Sequence, residues 1–176
     1  SGPWILAAAK ILFGTMAGVS KMIPAPVVLI VLVLHFCGGI GALPKAWPDL
    51  KKLSWQTIVR ISVLGVLVVA TDLTYFYAVR LMDVSVSTLL RWTAPVLLVV
   101  ILLFTQQERN RRAIVATIVA FVGLLLLLYG QGLQFGTANW LGISLALLSA
   151  ITAALFWYGS KQMLRTTPPM VMLALS

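Results

Sequence analysis

Asp72-Leu73-Thr74-Tyr75-Phe76-Tyr77-Ala78-Val79-Arg80-Leu81-Met82-Asp83-Val84-Ser85-Val86-Ser87-Thr88-Leu89-Leu90-Arg91-Trp92-Thr93-Ala94-Pro95 is the most informative stretch of this chain. It reads as two helices joined by a turn at Leu81-Met82, with Asp72 and Arg91 symmetric about that turn. Each charge borders a long apolar run, Val63 to Ala70 before the first and Val96 to Phe104 after the second. At about 1.5 Å per helical residue, both lie roughly 10 Å below the interface at the turn. An arginine near a bilayer centre costs about 2.5–3.5 kcal/mol on insertion scales, so such residues face a bundle interior or a water-filled cavity.

The composition makes lipid the expected solvent. Hydrophobic residues form 61% of the chain, charged residues only 10%, and mean hydropathy is +1.04. A water-soluble enzyme needs more surface charge than this. The single cysteine, Cys37, excludes an internal disulfide framework and an all-cysteine metal site. The net charge of +9 is spread over short loops without a basic patch carrying interleaved aromatics, so nucleic acid is not an expected partner.

Pattern and punctuation predict six spans, at about 4–22, 26–43, 57–79, 84–105, 113–130 and 138–159, and the start of a seventh. Pro24 and Pro26 open the second span, and Pro44 with Pro48 closes it. Runs such as Leu124 to Leu128 lack the alternation of a closed barrel, so the spans are helices. Loop charges alternate in sign of crossing. One side carries Lys45, Lys51, Lys52, Arg60, Arg109, Arg111, Arg112, Lys161 and Arg165, the other only Lys21 and Arg80. That asymmetry places the N-terminus in the cytoplasm of a bacterial-type inner or plasma membrane. Trp4, Trp47, Trp55 and Trp140 fall near span ends, where indoles favour the interface.

Ser20-Lys21 at the end of the first span and Ser160-Lys161 at the end of the sixth superimpose at an offset of 140 residues. Five crossings separate them, so a second copy would enter the membrane upside down, the arrangement of secondary transporters. Tyr75 to Arg80, then Asp83 to Leu90, Thr93-Ala94-Pro95-Val96, Glu108-Arg109 and Gly123 before a leucine run resemble the EamA-type repeat of the drug/metabolite transporter superfamily. In that pattern two glycines stand seven apart; here Ala116 occupies the first position, and His35 lies where the family often has an arginine. The resemblance covers nearly the whole chain. It implies a ten-helix fold of two inverted five-helix repeats that moves small metabolites by alternating access. On that pattern residues 4–130 form the first repeat and 138–176 the beginning of an incomplete second, truncated after about six spans.

The candidate site follows from depth and helical face. Arg91 is the leading contact for an anionic group, and Asp72 is its ion-pair partner or a proton carrier. Tyr75, Trp92 and Thr88 are expected around them, with Ser87 beside Thr88 and with Phe76, Phe156 and Trp157 as further aromatic wall residues. His35 is a second candidate for proton coupling, because imidazole titrates near neutrality. Pro95 leaves the Arg91 carbonyl without its helical donor and is expected to kink the fourth span. Each has a plainer alternative: a structural ion pair, a snorkelling arginine, a packing histidine, aromatics that only fill space. Gly14 and Gly18 suit close helix packing, and Lys10 is either a snorkelling cation or a second anion contact. His35 and Cys37, two residues apart on a helix, do not share a face, so no metal site is expected. There is no catalytic constellation and no cofactor motif. The fold class is thus an all-α integral membrane protein, a multi-spanning bundle with inverted-repeat architecture. The expected function is secondary-active transport of a small polar or zwitterionic metabolite such as an amino acid. Its partners are that solute, the lipid bilayer, and the missing second-repeat helices or a partner chain. The alternative is a non-transporting scaffold or assembly subunit whose buried charges are structural.

Overall fold

A computed structural model of the chain describes residues 18–50, 53–105, 111–130, 139–164, 167–169 and 171–172. Among them every regular element is helical. After a helical turn over 18–22, the elements are α1 (Val27–Leu50), α2 (Trp55–Leu81), α3 (Val84–Arg91), α4 (Ala94–Phe104), α5 (Arg111–Gly130) and α6 (Trp140–Met163). Among the described residues four stretches are long and apolar enough to cross a membrane: Val27–Pro44, Trp55–Leu81, Val84–Phe104 and Trp140–Met163. The protein is therefore an all-α membrane bundle. The fifth expected span is helical, with a shorter apolar stretch over Ile114–Gly123. Most of the first expected span, including Lys10 and Gly14, lies outside the described residues.

Helix starts follow local chemistry. Ser54 caps α2 by accepting from the Thr57 amide, and Asn139 caps α6 by accepting from the amides of Leu141 and Gly142. Trp55 and Trp140 stand at these starts and are strongly exposed, as interfacial indoles should be.

α2 and α6 form the central antiparallel pair. α1 packs on α2, α3 and α4 pack on α6, and α5 leans on α3 and α4. Antiparallel running shows at both ends of α6. A Cβ on Gly142 would meet Met82 Sδ at 3.1 Å, and one on Gly159 would meet Leu64 Cδ2 at 2.5 Å. Between them Ala146, Ser149, Ala150, Ala153 and Ala154 are buried. Where lipid removes the hydrophobic drive, such small residues let helix backbones approach and gain dispersion contacts. Two apolar clusters close the ends of the bundle. Val27 and Val31 of α1 meet Tyr75, Phe76 and Val79 near the Met82 turn. At the far end Ala46, Ile61, Leu64, Val171 and Met172 meet, with Phe156 packed against them.

The apolar stretch of the second span stops at Pro44, as expected, while α1 itself continues past Pro44 and Pro48 to Leu50. Each removes a helical hydrogen bond, but the burial of Ala42 and Ala46 holds that end of the helix in place. At the expected kink the fourth span is interrupted for one turn, in which Thr93 keeps helical dihedrals. α3 ends at Arg91, Trp92 and Thr93 form a turn, and α4 restarts at Ala94 with Pro95 in its first turn. At Gly18 a Cβ would meet nothing within 4 Å, so no close helix packing occurs at that residue.

Ala150 is fully buried beside Ala94 and Ala153. Ala150→Leu should destabilise the bundle by about 1–3 kcal/mol through overpacking. Val119→Leu, on the exposed face of α5, should stay within about 0.5 kcal/mol. Unfolding in detergent micelles followed by circular dichroism checks both.

Candidate functional site

The site begins with Asp72, which is only 3% exposed in the middle of α2. A lone carboxylate there would be untenable, and two helices supply partners. Arg91, the last residue of α3, donates from Nη2 to Asp72 Oδ1 at 2.9 Å. His35 of α1 brings Nε2 to 3.2 Å from Asp72 Oδ2. At that distance Nε2 lies beside the carboxylate without a hydrogen bond to it.

Local sequence explains how each group arrives. Val27, Val31 and His35 follow one another at i, i+4 along α1, and Val79, Phe76 and Asp72 run the opposite way along α2. Packing of the apolar members of these rows delivers the histidine one turn beyond Val31, opposite the carboxylate. Arg91 is carried back to Asp72 by the Leu81–Met82 turn. Its guanidinium carbon lies 4.4 Å from the centre of the Tyr75 ring, a cation–π contact. The Tyr75 hydroxyl shares a 2.9 Å hydrogen bond with Thr88 Oγ1, so the ring beneath the arginine is fixed by the same helix that bears it.

A layer of hydroxyls flanks the charges. Ser149 Oγ donates to the Thr71 carbonyl at 3.0 Å. Thr74 Oγ1 lies 2.8 Å from the Ala70 carbonyl. Thr71 Oγ1 lies 2.7 Å from the Leu67 carbonyl and 2.9 Å from Thr152 Oγ1. Extra bonds to helical carbonyls loosen the regular ladder and favour bending. On the facing helix, Thr93 donates to the Leu90 carbonyl through both its amide and its hydroxyl, at the break before Pro95.

Asp72, Arg91, Tyr75, Thr88 and His35 therefore meet. Ser87 is fully buried and bonds the Asp83 carbonyl. Trp92 sits in the turn after α3 and is 51% exposed. Phe156 packs in the cluster at the far end of the bundle, and Trp157 is 37% exposed. One feature escaped the sequence: Arg91 Nη1 is buried and meets no hydrogen-bond partner within the protein. No residue pattern signals an unmade bond. Among the described residues no group of three His, Cys, Asp or Glu could hold a metal ion.

At the end of the bundle near Met82, Lys21 Nζ donates to the Met82 carbonyl at 3.2 Å. Arg80 Nη2 donates to the Ile23 and Ala25 carbonyls. The two cations thus tie the Pro24–Pro26 linker to the α2–α3 turn. Lys161 ends α6 near Leu64, so Lys21 and Lys161 occupy opposite ends of the bundle.

Removing one member of a buried pair strands the other. Arg91→Leu should cost about 3–5 kcal/mol, and Asp72→Asn with Arg91→Gln together should cost clearly less than the two single changes summed. A double-mutant cycle of denaturant unfolding in micelles measures the coupling.

No family model, curated protein or solved structure matches the chain.

Proposed function

We propose that this chain is a secondary-active membrane transporter of the drug/metabolite superfamily, moving a small polar or zwitterionic metabolite such as an amino acid by alternating access. The observation that carries the reading is the Arg91 guanidinium, paired with Asp72 through Nη2 while its Nη1 meets no acceptor within the protein. Buried donors are normally paired, and those left open in a native structure call for an explanation. An arriving carboxylate supplies one, because guanidinium binds carboxylates through two parallel hydrogen bonds. The break at Trp92–Thr93 supports the same reading, since interrupted helices within the membrane line substrate paths.

The inverted-repeat architecture belongs to this proposal. Ser20-Lys21 and Ser160-Lys161 at opposite ends are what an odd number of crossings per copy requires. A bacterial-type inner or plasma membrane with a cytoplasmic N-terminus is proposed from the loop charges, nine on one side and two on the other. One observation favours a second reading, a scaffold subunit with structural charges: Asp72 already has a cationic partner and a histidine within reach, and needs no ligand.

Uptake of radiolabelled amino acids into proteoliposomes by the full-length protein separates the two. Arg91→Ala should lower uptake at subsaturating solute by roughly 10- to 100-fold, the loss of a charge-assisted hydrogen bond worth about 1.5–3 kcal/mol. Unchanged uptake in both Arg91→Ala and Asp72→Asn would sink the transporter site. A charge swap, Asp72→Arg with Arg91→Asp, should restore folding without transport; recovery of both would make the pair structural and remove it from the substrate site.

A further inference from the structure

We propose that Asp72 and a carboxylate of the transported solute compete for the Arg91 guanidinium, and that a proton delivered through His35 decides between them. This rests on the transporter reading and names its coupling ion. The two oxygens of Asp72 are divided between two helices, Oδ1 to Arg91 of α3 at 2.9 Å and Oδ2 to His35 of α1 at 3.2 Å. Two nitrogens in this cluster, His35 Nε2 and Arg91 Nη1, are buried and lack a hydrogen bond. A half-made polar network in a low dielectric is the arrangement that a second state can complete.

The exchange balances. A proton from water bonds to His35 Nε2 and passes to Asp72 Oδ2, and the imidazole returns to neutral. The uncharged carboxyl loses its ionic hold on Arg91 Nη2. The solute carboxylate then accepts from Nη1 and Nη2 together. One positive charge enters with each negative one, and no heavy-atom bond changes. Coupling follows from what the half-steps leave behind. A carboxylate arriving beside ionised Asp72 sets two anions on one guanidinium, and a proton arriving alone leaves Arg91 an uncompensated buried cation. Both are disfavoured, so the site holds proton and carboxylate together or neither.

The surroundings suit this exchange. Among the described residues the titratable groups around Asp72 are His35 from α1, Arg91 from α3 and Tyr75 on α2 itself, while α6 presents the hydroxyls of Ser149 and Thr152 nearby. Tyr75, clamped by Thr88, lies against the guanidinium independently of Asp72. It therefore holds Arg91 in place while its anion changes.

The test uses the full-length protein in proteoliposomes, a radiolabelled mixture of the standard amino acids, and a membrane potential held at zero. Acid outside should drive about tenfold accumulation per pH unit of gradient in the wild type, the ratio of one-for-one coupling. Asp72→Asn should bring accumulation down to the level without a gradient. His35→Gln should slow gradient-driven uptake by about tenfold or more without changing the final ratio. Uptake that requires Arg91 but ignores the gradient overturns the coupling and leaves the transporter reading standing, as does a gradient response that survives Asp72→Asn. If no amino acid exchanges, the transporter reading falls and the coupling with it. Should Asp72→Asn fail to fold, infrared difference spectra of the wild type decide. Adding the exchanged amino acid must raise a protonated-carboxyl band, and its absence overturns the proposal.

Discussion

A carboxylate buried in the middle of a membrane helix is the constraint on which the rest of this bundle turns. Moving such an ion into a medium of low dielectric costs about 20 kcal/mol in the idealised limit, and several even after relaxation. Asp72 is held there only because α3 returns an arginine to it and α1 lays a histidine against it. Those two contacts fix the register of three helices at once. Sliding α1 or α3 by a turn along α2 would take its polar group about 5.4 Å away and leave charge in hydrocarbon.

The fourth helix of the central group contributes by what it lacks. Gly142, Ala146, Ala150 and Ala154 recur at four-residue intervals along α6, with Ser149 and Ala153 beside them. This face brings α6 close enough for Ser149 to bond a backbone carbonyl of α2 one residue before Asp72. The apolar clusters at Val27–Val79 and Ala46–Met172 close the two ends. Between them lies a polar layer, with hydroxyl-bonded carbonyls in α2 and the break between α3 and α4. The hydroxyl-bonded stretch of α2 and the interruption between α3 and α4 thus adjoin the only ion pairs among the described residues.

The legible parts were those governed by symmetry and depth. Asp72 and Arg91 pair as their equal distance from the Leu81–Met82 turn requires. The same construction about Leu53, which lies 18 residues after His35 and 19 before Asp72, brings the histidine to the carboxylate. His35 and Asp72 were readable as separate candidates for proton coupling, yet their contact depends on the α1–α2 pairing. Pro95 stands in the first turn of α4, just after the interruption, whereas Pro44 and Pro48 lie within α1, whose apolar stretch stops at Pro44. Phe156 shares a sequence signal with Tyr75 and Phe76, but the packing at Ile61 places it at the far end of the bundle.

Sequence alone determined that this chain dissolves in lipid, that its regular structure is helical, and that Asp72 and Arg91 share a depth. These follow from composition and from the rise of a helix, which no packing arrangement alters. Tertiary structure decided which side chains occupy that depth together, which helix continues through its prolines, and which donor on Arg91 is left open. Those outcomes depend on the rotation of each helix about its axis, and rotation is set only when neighbouring surfaces meet.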